Sequence, residues 1–331
     1  MIGRLLLFAC MKNFRYAHGL GCLRLPLTGL AVAVLVGCAS VPLPTTPESP
    51  PSTSIPVPNP STQPPVVERK IPHIGLALGG GAARGFAHVG VIQALEEAGI
   101  RPELVAGTSA GSLVAALYAS GKNSTQLKKV AETMEEAEIT DWMIPILNRG
   151  ALRGEALARY VNAQVSGTFI ENMKMPLGVV ATDLQSGEAV LFRRGSTGTA
   201  VRASSAVPGV FQPVRVGSRE YVDGGLVSPV PVKQAREMGA NFVIAVDISS
   251  DPEGNPADDT FQILMQTFTI MGKSINSYGL KEANLVVRPA LTGVKSADFT
   301  ARRRSIEAGH AAMKKLIPRL RELLAQFENG R

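Results

Sequence analysis

The stretch HIGLALGGGAARGFAHVGVIQALEEAGI (His73–Ile100), followed by ELVAGTSAGSLVAALYASG (Glu103–Gly121), decides the fold of this 331-residue chain. An apolar run, Ile74–Leu78, meets Gly79, Gly80 and Gly81 and gives way to an amphipathic helix ending near Gly99. A second short strand, Glu103–Ala106, meets Gly107-Thr108-Ser109-Ala110-Gly111 and another apolar helix. Strand, helix, strand alternation of this kind implies an α/β fold with a largely parallel sheet and helices on both faces, with loops gathered at the C-terminal ends of the strands.

The two turns carry the chemistry. Backbone amides at a glycine loop before a helix point at an arriving anion. Gly107-x-Ser109-x-Gly111 is a nucleophile elbow: a serine on a strained strand-to-helix turn needs residues without bulk two positions away on either side. The helix N-terminus beneath Ser109 then favours negative charge developing there, as acyl transfer requires. Arg84, a cation in a first helical turn, opposes the helix dipole by about 0.3–1 kcal/mol unless an anion lies nearby. With the amides of Gly80 and Gly81 it is expected to form an oxyanion hole. A third element, REYVDGGLVSP (Arg219–Pro229), places Asp223 after an apolar strand and before Gly224 and Gly225. By itself Asp-Gly between apolar residues reads as a hairpin turn.

Glycine loop with arginine, GxSxG and Asp-Gly-Gly, in this order, closely resemble the patatin-like phospholipase family. VVATDLQSGEAVLFRRG (Val179–Gly195) and AVRASSAVPGVFQPV (Ala200–Val214) are similar to its bacterial branch, and the likeness runs from about Ile74 to Ser249. The resemblance implies a three-layer αβα fold with a mostly parallel central sheet. It also implies a carboxylic ester hydrolase of phospholipase A or lysophospholipase type, with a Ser109–Asp223 dyad, a glycine-loop oxyanion hole and no cofactor or metal. Ser228 departs from the pattern, where bacterial members often carry Asn.

Composition suits one large α/β domain with appendages: 45% of residues are hydrophobic and 5% aromatic. The first 37 residues hold Arg4, Lys12, Arg15 and Arg24, no acid, and an apolar stretch Leu25–Val36, which reads as a secretory signal peptide. Twelve residues are too few to span a bilayer, which needs about 20. The signal ends Leu35-Val36-Gly37-Cys38, resembling a bacterial lipobox, so Cys38 is expected to be lipidated; Met11 is a candidate start. Ala39 resembles the signal for transfer to an outer membrane, facing the periplasm. Loss of the signal removes Cys10 and Cys22, leaving Cys38 without a disulfide partner. It also removes four basic residues, so the net charge of +7 becomes +3 and nucleic acid is not implied. Residues 38–70 are expected to be a tether, since ten prolines fall between Pro42 and Pro65. Those 24 residues reach roughly 70 Å at about 3.1 Å each. Residues 71–331 form the expected domain, acting on membrane lipids.

Several readings stay open. Trp142, Met143, Ile144, Ile146 and Leu147 suit either lipid contact or core packing, with core the default. Met265 and Met271 suit a mobile cover or gap-filling in the core. Asp183 suits orientation of the Asp223 loop or a turn. A P-loop is excluded because no Lys-Ser/Thr follows the glycines, and a dinucleotide fold lacks the acid ending its second strand. The acids of Asp251–Asp259 lack calcium-loop spacing. Asp223 is expected to activate Ser109 without a histidine, in a partly dry site that raises its pKa. The alternatives are a Ser109–Asp223–His310 carboxylesterase, in the chain order of α/β hydrolases, and a non-catalytic lipid-binding envelope module.

Overall fold

The computed structural model describes residues 70–141, 150–255, 257–295 and 298–330. Its main sheet is built on five parallel strands, β1 (Ile74–Leu78), β2 (Leu104–Thr108), β4 (Leu177–Asp183), β9 (Phe242–Val246) and β10 (Leu285–Val287). Their spatial order is β10-β9-β1-β2-β4. Antiparallel to β4 run β5 (Ala189–Phe192) and β8 (Arg219–Asp223), and β8 pairs in turn with β7 (Val214–Val216). A separate ribbon joins β3 (Gly150–Leu152) to β6 (Gly209–Phe211). The expected mostly parallel α/β architecture is the one observed. The three-residue strands β3, β6 and β7 escape a sequence reading because they are too short to show a period.

The two faces of the sheet are packed unequally. Leu76, Leu78, Phe242, Ile244 and Val246 point to one side, into a large core with α1 (Phe86–Glu97), α2 (Ala110–Ala119), α3 (Ser124–Thr133), α5 (Glu155–Gln164) and α9 (Arg302–Glu328). Ala77, Ala106 and Ala245, one residue out of phase, line a thinner core against α7 (Val232–Glu237). Alternation with period two thus sends successive strand residues to opposite layers.

Helix α1 leaves the glycine loop through a 3-10 turn, Ala82–Gly85, and is clamped by α9. The helices touch backbone to backbone: a Cβ on Gly90 would stand 1.9 Å from the Ile306 carbonyl, and one on Gly309 the same distance from that of Ala87. The polar segment after α2 forms two helices. An Asn123–Gln126 capping box starts α3, and extended backbone at Met134 and Glu135 separates it from α4 (Glu136–Ile139).

A methyl group at the helix crossing has nowhere to go, so Gly90→Ala is expected to destabilise the fold by about 1–3 kcal/mol or more, the usual cost of overpacking. Urea unfolding followed by circular dichroism measures it; an unchanged midpoint would mean that the crossing can open at no cost.

Candidate active site

Strand β4 sets the geometry of the site. Its residues Val179–Thr182 pair with β5 along one edge. The other edge is therefore shared: β2 runs up it as far as Thr108↔Val180, and β8 runs down it as far as Asp223↔Ala181. Ser109 follows Thr108, so the serine and the aspartate meet where the two strands abut.

Ser109 adopts φ 53°, ψ −124°, a left-handed conformation for a residue with a side chain, at a cost of order 1–3 kcal/mol. The surroundings impose it. The Ser109 N–H donates to Ser204 Oγ at 2.8 Å, and Ser204 Oγ donates to the Val180 carbonyl at 2.5 Å. Ser112 Oγ donates to the Ser109 carbonyl at 2.6 Å, and Thr108 Oγ1 to that of Ser228 at 2.8 Å. Both elbow glycines are required by contact. A Cβ on Gly107 would lie 2.5 Å from the Gly111 carbonyl, and one on Gly111 would lie 2.1 Å from that of Leu78. Ser204, on α6 (Thr197–Ser204), was not singled out from sequence; a buried serine in RASSAVPG carries no mark of what it binds.

Asp223 ends β8, and the chain turns there into a 3-10 helix, Gly224–Leu226. The hairpin reading of Asp-Gly is thus wrong: the hairpin lies at Gly217 and Ser218, between β7 and β8. The Asp223 N–H donates to the Ala206 carbonyl at 3.0 Å, and Thr182 Oγ1 donates to the Asp223 carbonyl at 2.8 Å. Its Oδ1 accepts from the Gly225 N–H at 2.7 Å, while Oδ2 is buried with no hydrogen-bond partner. Burial pushes this carboxyl up to about 6; the Ser109 hydroxyl and the Gly225 amide act the other way. The hydroxyl is thus near enough to be felt without a completed hydrogen bond, a common state of a site without substrate. Gly224 is needed for approach, because a Cβ there would lie 2.3 Å from the Val180 carbonyl.

The glycine loop corrects the expected oxyanion donors. The N–H of Gly79 donates to the Val246 carbonyl at 3.0 Å and that of Gly80 to the Pro229 carbonyl at 2.9 Å. Gly80 serves by its lack of bulk, since a Cβ would stand 3.2 Å from that of Ser109. The amides of Gly81, Ala82 and Ala110 donate to no protein group among the described residues. The Arg84 N–H donates to the Gly81 carbonyl at 3.2 Å, and its side chain, 6% exposed, is absent from the cavity wall. Desolvation lowers the guanidinium pKa and the charge of Asp247, beyond β9, raises it. Arg84 Nε is buried without a hydrogen-bond partner.

Ser109 lies in the wall of a cavity of about 460 Å³ that runs between α1, α2, α3 and α5. Leu113, Leu117, Leu127, Val130 and Phe211 are among its apolar walls, and Glu136 is its one charged lining residue among those described. Close-packed interiors leave few voids larger than a water, so an apolar space of this size beside a strained serine offers room for an apolar ligand.

The histidines stand elsewhere. His73 pairs with Glu103 at 2.9 Å, at the start of β1 and the far end of the sheet. His88 is fully buried, bonds the Gly79 carbonyl at 2.8 Å and is pushed down to about 4 by desolvation. His310 bonds Glu97, the last residue of α1, at 2.7 Å. Twelve helical residues, about 18 Å at 1.5 Å each, separate that point from the loop, which removes the triad alternative. Asp183 serves as turn and tie at once: Oδ1 accepts from the amides of Gln185 and Ser186, and Oδ2 from Arg219 at the start of β8. The Trp142–Leu147 cluster, Cys38, and the expected signal and tether apart from Lys70 lie outside the described residues.

Comparison with known proteins follows the same boundaries. The patatin-like phospholipase family model matches residues 76–236. An uncharacterized NTE family protein of Mycobacterium tuberculosis is 38% identical over 189 residues, 57% of this chain and 52% of that protein. Patatin-like phospholipase domain-containing protein 6 of Homo sapiens is 35% identical over 187 residues, 54% of this chain and 14% of that protein. The chain thus spans about half the length of the bacterial relative and a small part of the human one. VipD from Legionella pneumophila shares the fold, with a TM-score of 0.52 at 16% identity over 76% of this chain and 68% of that one. Through residues 76–236, the chain belongs to the patatin-like phospholipase family.

Proposed function

We propose that this protein is a serine acyl hydrolase of lipid esters, phospholipid or lysophospholipid, in which Asp223 alone activates Ser109. The observation that carries it is a buried carboxylate oxygen without a partner beside a strained serine, at one wall of an apolar cavity of about 460 Å³. Asp223 takes the Ser109 proton as Oγ attacks the ester carbonyl. The tetrahedral oxyanion is held by amides among Gly81, Ala82 and Ala110, which have no acceptor among the described residues. The proton held on Asp223 then passes to the leaving alcohol, and a water activated by the same carboxylate releases the acyl group from Ser109. The fatty acyl chain lies in the apolar cavity during both steps. Gly80 and Arg84 support the hole by packing and by the local field.

The site of action is proposed from the N-terminal sequence: a lipidated Cys38 holds the domain to the cell envelope, at an outer membrane on its periplasmic side. Leu35–Cys38 and the absence of acids before it support this reading.

A fluorophosphonate is expected to label the wild-type chain and not Ser109→Ala, and only the former is expected to release fatty acid from liposomes. Asp223→Asn is expected to lower kcat by about 10²–10⁴, the range for a general base, while His310→Ala remains active. Persistent labelling of Ser109→Ala, or a dead but folded His310→Ala, overturns the dyad. Because the base must be ionised, kcat/KM for a soluble ester should rise about tenfold per pH unit up to about 6 and then level.

The same burial predicts a stability signature. A carboxyl raised from 3.8 to about 6 contributes stability that is fully present below about pH 4 and is lost as pH rises through 6. Asp223→Asn should therefore raise the melting temperature at pH 8 but not at pH 4. Equal shifts at both would show that the carboxylate is not strained in the fold. Finally, Cys38→Ala is expected to move the chain out of the detergent phase, and partition like wild type places the anchor elsewhere.

A further inference from the structure

Helix α8 (Thr260–Gly279) departs from the usual surface pattern. A surface helix turns its apolar stripe inward and its charges outward. Here only Asn276 is buried, and no charged residue occurs between Asp259 and Lys273. Phe261, Ile263, Leu264, Ile270, Met271 and Tyr278 are instead 38% to 71% exposed. Ile263 and Ile270, and Leu264, Met271 and Tyr278, recur at seven-residue steps, so they share one outer face of a helix about 30 Å long with exposed Thr267 and Ser274, and Phe261 flanks it. The inward side carries half-buried Met265, Phe268 and Ile275 beside polar groups that are already bonded: Asn276 donates to Ser249 Oγ at 2.9 Å, and Gln266 donates to the Pro252 carbonyl at 2.7 Å. The core default for Met271 is thereby overturned.

We infer that the outer face of α8 docks this protein on a lipid surface, with the helix lying in the plane of the interface. Three observations select lipid over a second copy of the chain. The face is continuous with the cavity: Phe261 is both half exposed and part of the wall that includes Ser109. The helix also passes over the loops of the site, with Phe261 and Leu264 against Gly209 and Gly272 against Pro229. A protein partner would need only the outer face, whereas an acyl chain leaving a bilayer can follow apolar surface from Ile263 to Ser109. The charges sit at the margin: Lys273 pairs with Asp251, and Lys281 lies 5.2 Å from the Tyr278 ring centroid, where long cationic and aromatic side chains reach headgroup level. No helix among the described residues is long and apolar enough to cross a membrane, so α8 lies on the surface rather than spanning it. Docking itself is independent of catalysis; delivery of substrate to Ser109 rests on the proposed function.

The test uses the full chain with Cys10, Cys22 and Cys38 changed to Ala, which removes any anchor at position 38. A polarity-sensitive nitrobenzoxadiazole dye on Met271→Cys is expected to brighten and shift to the blue with phosphatidylcholine vesicles. The same dye on exposed Arg101→Cys, at the opposite end of the sheet, is expected to stay unchanged. The response should persist in 1 M salt, where the Debye length falls to about 3 Å, and should weaken at least tenfold in vesicle concentration with Ile263→Asp and Ile270→Asp. No response at position 271, an equal response at 101, or a dimer that Ile270→Asp splits in size-exclusion light scattering overturns the inference. In the otherwise unmodified chain, the two aspartates should cut vesicle hydrolysis at least tenfold and spare a soluble short-chain ester. Loss of both refutes delivery through α8, while docking without hydrolysis of either ester by the parent chain refutes the proposed function and leaves docking standing.

Discussion

The whole site depends on the sharing of one edge of β4. Because β5 covers the other edge, β2 and β8 must end against each other on this one, Thr108 at Val180 and Asp223 at Ala181. The Val180 carbonyl is the common reference point. It accepts from Ser204 Oγ, which in turn accepts from the Ser109 amide, and it leaves room only for a glycine at position 224. A one-residue slip of β8 would turn Asp223 to the opposite face of the sheet. Register, more than any side-chain contact, therefore sets the distance between nucleophile and carboxylate.

That arrangement stores unfavourable features where the chemistry is proposed. Ser109 occupies a left-handed conformation, Asp223 Oδ2 has no partner, and Arg84 Nε is buried unbonded. Each would relax if its surroundings could move, and several glycines nearby leave no room for a side chain. The glycine loop is wedged between Val230, Ile248 and the elbow, and α1 behind it is locked to α9 at Gly90 and Gly309. Rigid packing of small residues is what keeps a strained serine and a dry carboxylate in place.

The cavity and α8 join this rigid centre to an apolar exterior. Walls from α1, α2, α3 and α5 are contributed by helices whose other faces complete the main core, so the cavity is part of the fold's largest packing layer. Near its opening, Phe261 carries the apolar surface onto the outside of α8.

The sequence by itself determined the strand-loop-helix units, their alternation, the elbow at Gly107–Gly111 and the family resemblance, because glycines, short apolar runs and turn residues act locally. Ile74–Leu78 was legible to the residue, and the expectation that Asp223 sits in a dry place followed from its flanks. Tertiary structure alone decided what depends on partners distant in the chain. It assigned Gly80's amide to Pro229, turned Arg84 away from the cavity, paired His310 with Glu97, and made Ser204 the support of Ser109 across 95 residues. It also exposed α8, whose apolar composition reads as core until one sees that no second layer among the described residues covers it. Local rules report what a segment prefers to become; only long-range packing settles which hydrogen bonds are already taken and which apolar faces are left for something else.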